Sequence, residues 1–232
     1  MAPKRGAIYA LAMDGNGDPE FVAPAAERAL IVSEDPWNET MQASVVVPIY
    51  RREGEISEHA ALLQPSLDDA HYADCTLVLS LDHDDLGHFV DQASGEALAA
   101  VVGGLRAYLD IDDLMAKRIK RPPSVGRATF WPRQRDIYWG RRFGEQRERY
   151  LIVADDEFNV RAEQTAAMFL TSRDKTWRSR WQVPGGGGFV ITGDIDQFDY
   201  NEFDDRARPD PKEFSRDEMA EVAAAIVDVL EL

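Results

Sequence analysis

Short apolar blocks alternate with polar stretches along the chain, and these blocks occur twice in the same order. Residues 28–38, RALIVSEDPWN, return 121 positions later as RYLIVADDEFN at 149–159. The same offset pairs the run 44–49 with the run 165–170. Two copies are too few for a solenoid, so the pattern predicts a tandem pair of small domains.

Each copy predicts several short buried strands. In the first copy, apolar runs of strand length occupy residues 6–12, 29–32, 45–47 and 76–81. Their counterparts in the second copy are residues 127–131, 150–153, 167–170 and 188–192. The offset falls to 113 at the last pair and returns to 121 at the following helix, which places the changes of length in loops.

Each copy also predicts one closing amphipathic helix. Ser94 is the expected N-cap of the first helix, and Ser215 with Glu218 has the capping-box pattern for the second. The apolar positions at helical spacing are Leu98, Val101, Val102, Leu105 and Leu109, and then Met219, Val222, Ala223, Ile226 and Leu230. The sequence therefore predicts an α+β, mainly β protein with domains at 1–112 and 124–232, joined by a short link.

Composition favours a cytoplasmic protein. No run of about 18 apolar residues predicts a transmembrane helix, so no membrane partner is expected. The N-terminal residues 1–6 have no apolar region typical of a secretory signal. The single cysteine, Cys75, excludes an internal disulfide framework and is expected to be a buried thiol.

Charge is segregated along the chain. The net charge is −16, yet residues 117–180 hold 16 Lys and Arg against 8 Asp and Glu, a local net of +8. A basic segment favours an anionic partner such as nucleic acid. The alternative is that basic and acidic segments face and neutralise each other within the fold.

The order of these elements resembles the MazF/PemK family of bacterial toxins, which share a fold with CcdB. Members typically begin with a basic residue and Gly before a strand, as in residues 5–9, RGAIY. An Arg then precedes an apolar strand that ends in Ser, with Asn soon after, as in residues 28–38. A third strand ends in a Thr-Ser-Arg type of sequence, as in LTSR at 170–173, where the first copy has IYRR at 49–52.

The resemblance implies two tandem SH3-like barrels of the MazF/CcdB type, each closed by its C-terminal helix. Family members are usually homodimers that hold RNA in a groove involving both subunits. An intramolecular pseudo-dimer of the two copies is therefore expected.

The resemblance also implies metal-independent RNA cleavage, with an Arg that stabilises the charged phosphorane and a Thr at the end of the third strand. The Thr position falls on Thr171, with Ser172 beside it. Strict spacing places the Arg position on Glu148, which leaves Arg147 and Arg149 as alternatives. The first copy has Tyr50 at the Thr position, so that copy is expected to be non-catalytic.

A basic aromatic segment follows Thr171 and suits single-stranded RNA, because bases stack on indoles while cations meet phosphates. The alternative is a hairpin with tryptophans packed on the barrel and arginines in solvent. The expected RNA-binding residues are Arg173, Lys175, Trp177, Arg178, Arg180 and Trp181.

No cofactor or metal is expected. The acidic residues 82–85 with His88 match no established ligand spacing. The run PGGGG at 184–188 lacks the Lys-Ser/Thr ending of a phosphate loop and predicts a hairpin turn.

Two functions remain open. The first is an RNA-binding toxin-fold protein that cleaves RNA through the second copy, under the control of an antitoxin. The second is a non-catalytic protein on the same fold that binds a protein target, as CcdB-like toxins bind gyrase, or acts as a regulator. The arginines that flank Thr171 in the predicted site favour the first function. The acidic net charge and the Glu at position 148, where strict spacing expects the family's Arg, favour the second.

Overall fold

The computed structural model divides the chain into two compact units. Unit 1 comprises Met1–Arg106 with Asp228–Leu232, and unit 2 comprises Ala107–Val227. The residues that the structure describes are 2–11, 26–52, 66–68, 71–118, 131–141, 147–162, 164–173, 181–204, 210 and 213–232.

Unit 1 is built on one antiparallel sheet in the order β4-β5-β3-β2-β1-β7, with β6 also paired to β3. Helix α1 (Asp35–Met41) lies between β2 and β3, and α2 (Gly95–Tyr108) follows β7. The strands are β1 (Ala7–Leu11), β2 (Arg28–Ile31), β3 (Ala43–Arg51), β4 (Ser66–Asp68), β5 (His71–Ala73), β6 (Leu79–Asp82) and β7 (Leu86–Gln92).

Unit 2 contains a second antiparallel sheet in the order β11-β12-β10-β9-β8. Its helices are α3 (Ile111–Met115), α4 (Asp156–Asn159) and α5 (Arg216–Leu230). Its strands are β8 (Ile137–Gly140), β9 (Glu148–Ile152), β10 (Gln164–Thr171), β11 (Gln182–Gly185) and β12 (Gly188–Asp199). Among the described residues, no helix is long and apolar enough to cross a membrane.

The predicted closing helices are confirmed as α2 and α5. The Ser94 hydroxyl accepts a hydrogen bond from the Ala97 N–H at 3.1 Å, which caps α2. At the start of α5, Ser215 accepts from the Glu218 N–H at 3.2 Å and its own N–H donates to the Glu218 carboxylate at 2.7 Å. This reciprocal pair is the capping box that the sequence predicts.

The same buried amide network follows the second strand of each sheet. Asn38 donates to the Ser33 carbonyl at 3.4 Å and accepts from the Ser33 hydroxyl at 2.5 Å. In unit 2, Asn159 donates to the Ala154 carbonyl at 3.1 Å and accepts from the Thr165 hydroxyl at 2.7 Å. A buried amide is costly unless its groups are paired, so both loops require Asn at this position.

The residue that precedes the first strand has the same backbone conformation and an equivalent hydrogen bond in both units. Gly6 has φ +78° and donates to the Ile31 carbonyl at 2.8 Å. Arg135 has φ +79° and donates to the Ile152 carbonyl at 3.0 Å. Ile31 and Ile152 are 121 residues apart, whereas Gly6 and Arg135 are 129 apart.

This difference corrects the predicted first strand of the second copy. The pairing places β8 at Ile137–Gly140, whereas the sequence pattern predicts the strand at 127–131. Residues 127–130 lie outside the described residues, and Trp131 is not in a strand. Strands β4, β5, β7 and β11 had no counterpart in the predicted elements.

The last turn of α5 is bound within unit 1. The Arg5 guanidinium donates to the Leu230 carbonyl at 2.8 Å and to the Val32 carbonyl at 3.2 Å, and it pairs with the Glu231 carboxylate at 2.7 Å. The Glu34 N–H also donates to the Val229 carbonyl at 2.6 Å. These contacts satisfy carbonyls that a helix end leaves unpaired.

The end of α2 is bound in the corresponding way within unit 2. The Gln134 amide donates to the Val153 carbonyl at 3.0 Å and to the Leu109 carbonyl at 3.4 Å. The Asp155 N–H donates to the Tyr108 carbonyl at 2.9 Å. The two compact units assign residues 107–112 and 228–232 differently from the predicted domains 1–112 and 124–232, which stay a prediction.

Replacement of Arg5 by Ala tests this role of the α5 end. The Arg5 side chain is 19% exposed and has several acceptors, so we expect Arg5→Ala to lower the free energy of unfolding by about 2 kcal/mol. Urea unfolding followed by circular dichroism measures the change.

Lys4→Ala is the matched control for Arg5→Ala. Lys4 pairs with Asp35 and Glu39 at 3.2 Å, but its side chain is 49% exposed and solvent screens both pairs. Its unfolding midpoint should therefore stay close to that of the parent. Equal destabilisation by the two variants would contradict an anchoring role for Arg5.

Candidate nucleic-acid interface

Three strands of unit 2 bring polar and aromatic side chains to one end of its sheet. Strand β8 pairs with β9 so that Trp139 lies opposite Arg149, and β9 pairs with β10 so that Arg149 lies opposite Leu170. Because the strands are antiparallel, Arg141 after β8, Arg147 before β9 and the end of β10 lie at the same end of the sheet.

An exposed tryptophan lies among arginines at this end. Trp139 is 37% exposed, and the Arg147 guanidinium lies 4.7 Å from its ring centroid. This is a cation–π contact, in which the ring face attracts the cation. Asp204 forms an ion pair with Arg147 and lies 3.8 Å from the Arg141 guanidinium. We call Trp139, Arg141 and Arg147 the basic tryptophan cluster.

The Arg149 side chain is largely buried within unit 2 and is paired there. Its side chain is 13% exposed, and its Nε lies 3.3 Å from the Asp210 carboxylate. Its other nitrogens donate to the Gly186 carbonyl at 2.6 Å and to the Gly187 carbonyl at 3.5 Å. A guanidinium with these partners joins the β11–β12 turn to the start of β9.

Thr171 faces the opposite side of the sheet from Arg149. Side chains alternate along a strand, and Arg149 lies opposite Leu170, so the position that faces Thr171 is Glu148. Thr171 is 7% exposed, and its hydroxyl accepts from the Arg173 N–H at 3.2 Å. Arg147 contacts Trp139, which shares the face of Arg149. The structure thus brings neither predicted arginine to Thr171.

Part of the chain is similar to a known protein family. Residues 4–109 match the family described as PemK-like, MazF-like toxin of type II toxin-antitoxin system. This part of the chain is similar to the PemK/MazF-like toxin family. The predicted family resemblance is confirmed for these residues. No curated protein is similar enough to the chain to match it.

Solved structures of this family are similar at low sequence identity. MazF from Deinococcus radiodurans is 19% identical, with a TM-score of 0.38 over 45% of this chain and 100% of that chain. The same toxin in a MazE–MazF structure is 22% identical, with a TM-score of 0.38 over 44% and 99%. An endoribonuclease in complex with its cognate antitoxin from Mycobacterial species is 17% identical, with a TM-score of 0.36 over 45% and 92%.

The PemK/MazF-like part of the chain has no Thr at the end of its third strand. Tyr50 occupies that position and stacks on Tyr72, with ring centroids 5.6 Å apart and planes at 22°. Burial raises the pKa of Tyr50, followed by the negative charge of Asp74. This environment keeps the Tyr50 phenol in its neutral form. The expectation that this copy is non-catalytic stays a prediction.

Most of the predicted RNA-binding segment lies outside the described residues, namely Lys175, Trp177, Arg178 and Arg180. Its two ends are described. Arg173 and the neighbouring Ser172 are exposed. Trp181 is only 5% exposed, and its carbonyl accepts from the Thr192 hydroxyl at 3.0 Å. Its indole packs inside unit 2, so the expectation that it stacks on a base is corrected.

The acidic segment after β6 carries no metal site in the described part of the chain. There, no group of three or more His, Cys, Asp or Glu side chains is arranged to hold a metal ion. His83 lies 3.2 Å from the Ser44 hydroxyl through Nε2, and burial lowers its pKa. His83 thus contributes to local packing.

Sequence reasoning did not find Trp139 as a residue of the site. Trp139 belongs to β8, which the repeat pattern places elsewhere, and Asp204 follows a 3₁₀ turn at Tyr200–Glu202. The signal in the sequence was the segment 137–142, IYWGRR, in which an aromatic pair precedes two arginines.

Replacement of Arg149 separates a structural role from an RNA-contact role. Arg149→Ala removes the ion pair to Asp210, which is 13% exposed, and the hydrogen bond to the Gly186 carbonyl, so we expect a loss of about 3 kcal/mol in the free energy of unfolding. Arg147→Ala is the control, because that side chain is 50% exposed and its loss should cost under about 1 kcal/mol. Chemical denaturation of both variants checks this, and a neutral Arg149→Ala would contradict the assignment.

Proposed function

We propose that this chain is an RNA-binding protein of the PemK/MazF-like toxin family and that unit 2 binds single-stranded RNA. The observation that carries the proposal is the basic tryptophan cluster, where an exposed indole lies under a guanidinium. The cluster lies in the segment 117–180, which has a local net charge of +8 in an otherwise acidic chain.

The chemistry of the cluster fits a single strand better than a duplex. An unpaired base presents a π-face that stacks on an indole, and the neighbouring phosphates meet arginines. Arg147 and Arg141 have Asp204 as their present partner, with side chains 50% and 55% exposed. Exchange of this exposed ion pair for phosphate contacts costs little, because solvent-screened pairs are weak.

Unit 1 does not carry the same cluster at the equivalent positions that the structure describes. The counterpart of Trp139 on β1 is Ala10, since Ala10 and Trp139 lie opposite Arg28 and Arg149 in their sheets. The position 121 residues before Arg147 is Ala26, which is buried. We therefore propose one RNA site per chain, in unit 2.

We further propose that binding occurs without cleavage by an Arg–Thr pair. Stabilisation of a phosphorane requires a cation at the phosphate that the hydroxyl approaches. Glu148 faces Thr171, whereas Arg149 lies on the other face with Asp210 and two carbonyls. This geometry supports RNA binding as the function and gives no support to the family's cleavage chemistry at Thr171.

An antitoxin is the second partner that we propose. The Deinococcus radiodurans relative was solved as MazE–MazF, and the mycobacterial endoribonuclease with its cognate antitoxin. The alternative of a gyrase-like protein target or a regulatory role becomes the better reading if unit 2 does not bind RNA.

Trp139→Ala tests the proposed RNA site. The loss of one stacked base costs about 1–3 kcal/mol, so we expect RNA binding to weaken about tenfold or more. Fluorescence anisotropy with a labelled single-stranded RNA of unrelated sequence measures the affinity.

Phe89→Ala is the matched control for Trp139→Ala. Phe89 is an exposed aromatic residue of unit 1, at 53% exposure, and it contacts Tyr9 edge-on at 5.9 Å. Its removal should leave the RNA affinity unchanged. Equal effects of the two variants, or none in either, would contradict the assignment to unit 2.

Thr171→Ala tests the absence of cleavage by the family's residue pair. A long single-stranded RNA is incubated without metal with the parent protein and with this variant, and the products are separated on a denaturing gel. We expect intact RNA in both cases. Cleavage by the parent that vanishes in the variant would contradict the proposal and restore the endoribonuclease prediction.

A further inference from the structure

Unit 1 contains a cavity of about 260 Å³ between its sheet and the start of α2. Its lining includes apolar side chains from the sheet and the helix, among them Ile8, Ile49 and Ala97. Arg28, His71 and Asp91 add polar groups to its wall. The cavity is remote in sequence from the basic tryptophan cluster and plays no part in the proposed RNA site.

The corresponding space in unit 2 is filled by Phe214. The Phe214 N–H donates to the Arg135 carbonyl at 3.2 Å, as the Ala93 N–H donates to the Gly6 carbonyl at 2.8 Å. Ala93 lines the cavity of unit 1, whereas Phe214 is completely buried. The two positions are thus equivalent, and unit 1 has the small side chain of Ala93 where unit 2 has the Phe214 ring.

The fit around Phe214 is tight enough to require glycine beside it. A Cβ atom at Gly186 would lie 2.6 Å from the Phe214 ring and 2.6 Å from the Ile137 side chain. Gly186 also has φ +55°, a conformation that glycine adopts most readily. The ring, the glycine turn and Ile137 therefore form one packed unit, and Ile8 is the counterpart of Ile137 in unit 1.

The arginines at the two sites differ in their partners. Arg28 lies opposite Ile49 as Arg149 lies opposite Leu170, so the two arginines occupy equivalent positions in their sheets. Arg149 donates to the Gly186 and Gly187 carbonyls. In the part of the chain that the structure describes, Arg28 forms no ion pair or hydrogen bond through its side chain. Among the described residues that line the cavity of unit 1, none supplies an aromatic ring like that of Phe214 or a carbonyl acceptor for Arg28.

Unit 1 already has a counterpart of the Asp210 carboxylate, which pairs with Arg149 in unit 2. This counterpart is Asp91. The Asp210 N–H donates to the Ile137 carbonyl at 2.7 Å, and Asp91 pairs with Ile8 in the corresponding place. A ligand for the cavity therefore needs no acidic group, and Asp91 disfavours one. The volume is below the roughly 300 Å³ at which small-molecule sites begin, which suits one aromatic side chain.

We propose that the cavity of unit 1 binds an aromatic side chain of a peptide segment from another protein, whose main-chain carbonyls accept hydrogen bonds from Arg28. Phe214 and the glycine turn supply this same combination within unit 2. The site is a second interaction site of the chain, with a protein ligand, and it is independent of RNA binding.

The experiment uses N-acetyl-phenylalaninamide and the blocked tripeptide Gly-Phe-Gly as probes of the full-length protein. Amide chemical shifts of Ala93 and Ser94 report occupancy by nuclear magnetic resonance. We expect saturable binding of both probes, with the tripeptide several-fold tighter because it offers more carbonyls to Arg28. N-acetyl-alaninamide should not bind.

Ala93→Phe is the decisive variant, because it places in unit 1 the ring that unit 2 already has. We expect it to weaken tripeptide binding at least tenfold. Ala99→Phe, at an exposed position of α2, is the control and should bind as the parent does. Arg28→Met keeps the apolar stem and should also weaken binding about tenfold, which keeps the test valid if Ala93→Phe misfolds.

Three results would overturn the proposal. The first is the absence of saturable shifts in the parent protein. The second is unchanged binding in both Ala93→Phe and Arg28→Met. The third is equal affinity for N-acetyl-phenylalaninamide, the tripeptide and uridine, which would assign the cavity to flat aromatic molecules in general instead of a peptide segment.

Discussion

The placement of one arginine at the start of the second strand determines much of this molecule. In unit 2, Arg149 joins the Asp210 carboxylate to the carbonyls of the Gly186–Gly187 turn, and Phe214 packs beside them. A guanidinium that is largely removed from solvent destabilises the fold unless it has such partners. The same contacts remove Arg149 from any role at Thr171, and the Phe214 ring leaves no room for a side chain at Gly185 or Gly186.

The two units place different chemistry on the same backbone scaffold. Equivalent hydrogen bonds hold the lead-in to the first strand, the buried Asn after the second strand and the start of the final helix. On this scaffold, Trp139 and Arg147 stand where unit 1 has Ala10 and Ala26. Conversely, Ala93 stands where unit 2 has Phe214. Small residues thus open a cavity in one unit, and large ones form a surface cluster in the other.

The local parts of the structure were predictable from the sequence. The repeated apolar runs and capping residues identify β2, β3, β9, β10 and both long helices, because these depend on neighbouring residues. The position of β8 was not predictable, since a loop of different length separates it from β9. The sequence also did not predict the hydrogen-bond partners of Arg5 and Gln134 at the helix ends, because these partners lie far away in sequence.

In the candidate site, too, the sequence predicts local features but not those that depend on strand pairing and packing. The sequence identifies Thr171, Arg147 and Arg149 as polar residues near strand ends, but strand register decides which face each occupies. Register separates Arg149 from Thr171, and packing removes Trp181 from the surface. The exposed Trp139 becomes visible only when β8 is paired with β9.

The salt dependence of RNA binding by the parent protein tests the central claim most directly. If Arg141, Arg147 and Arg173 each meet a phosphate of a single strand, the logarithm of the association constant should fall with the logarithm of salt concentration with a slope of about −2. A slope near zero, or no measurable RNA affinity at low salt, would contradict an RNA site in unit 2.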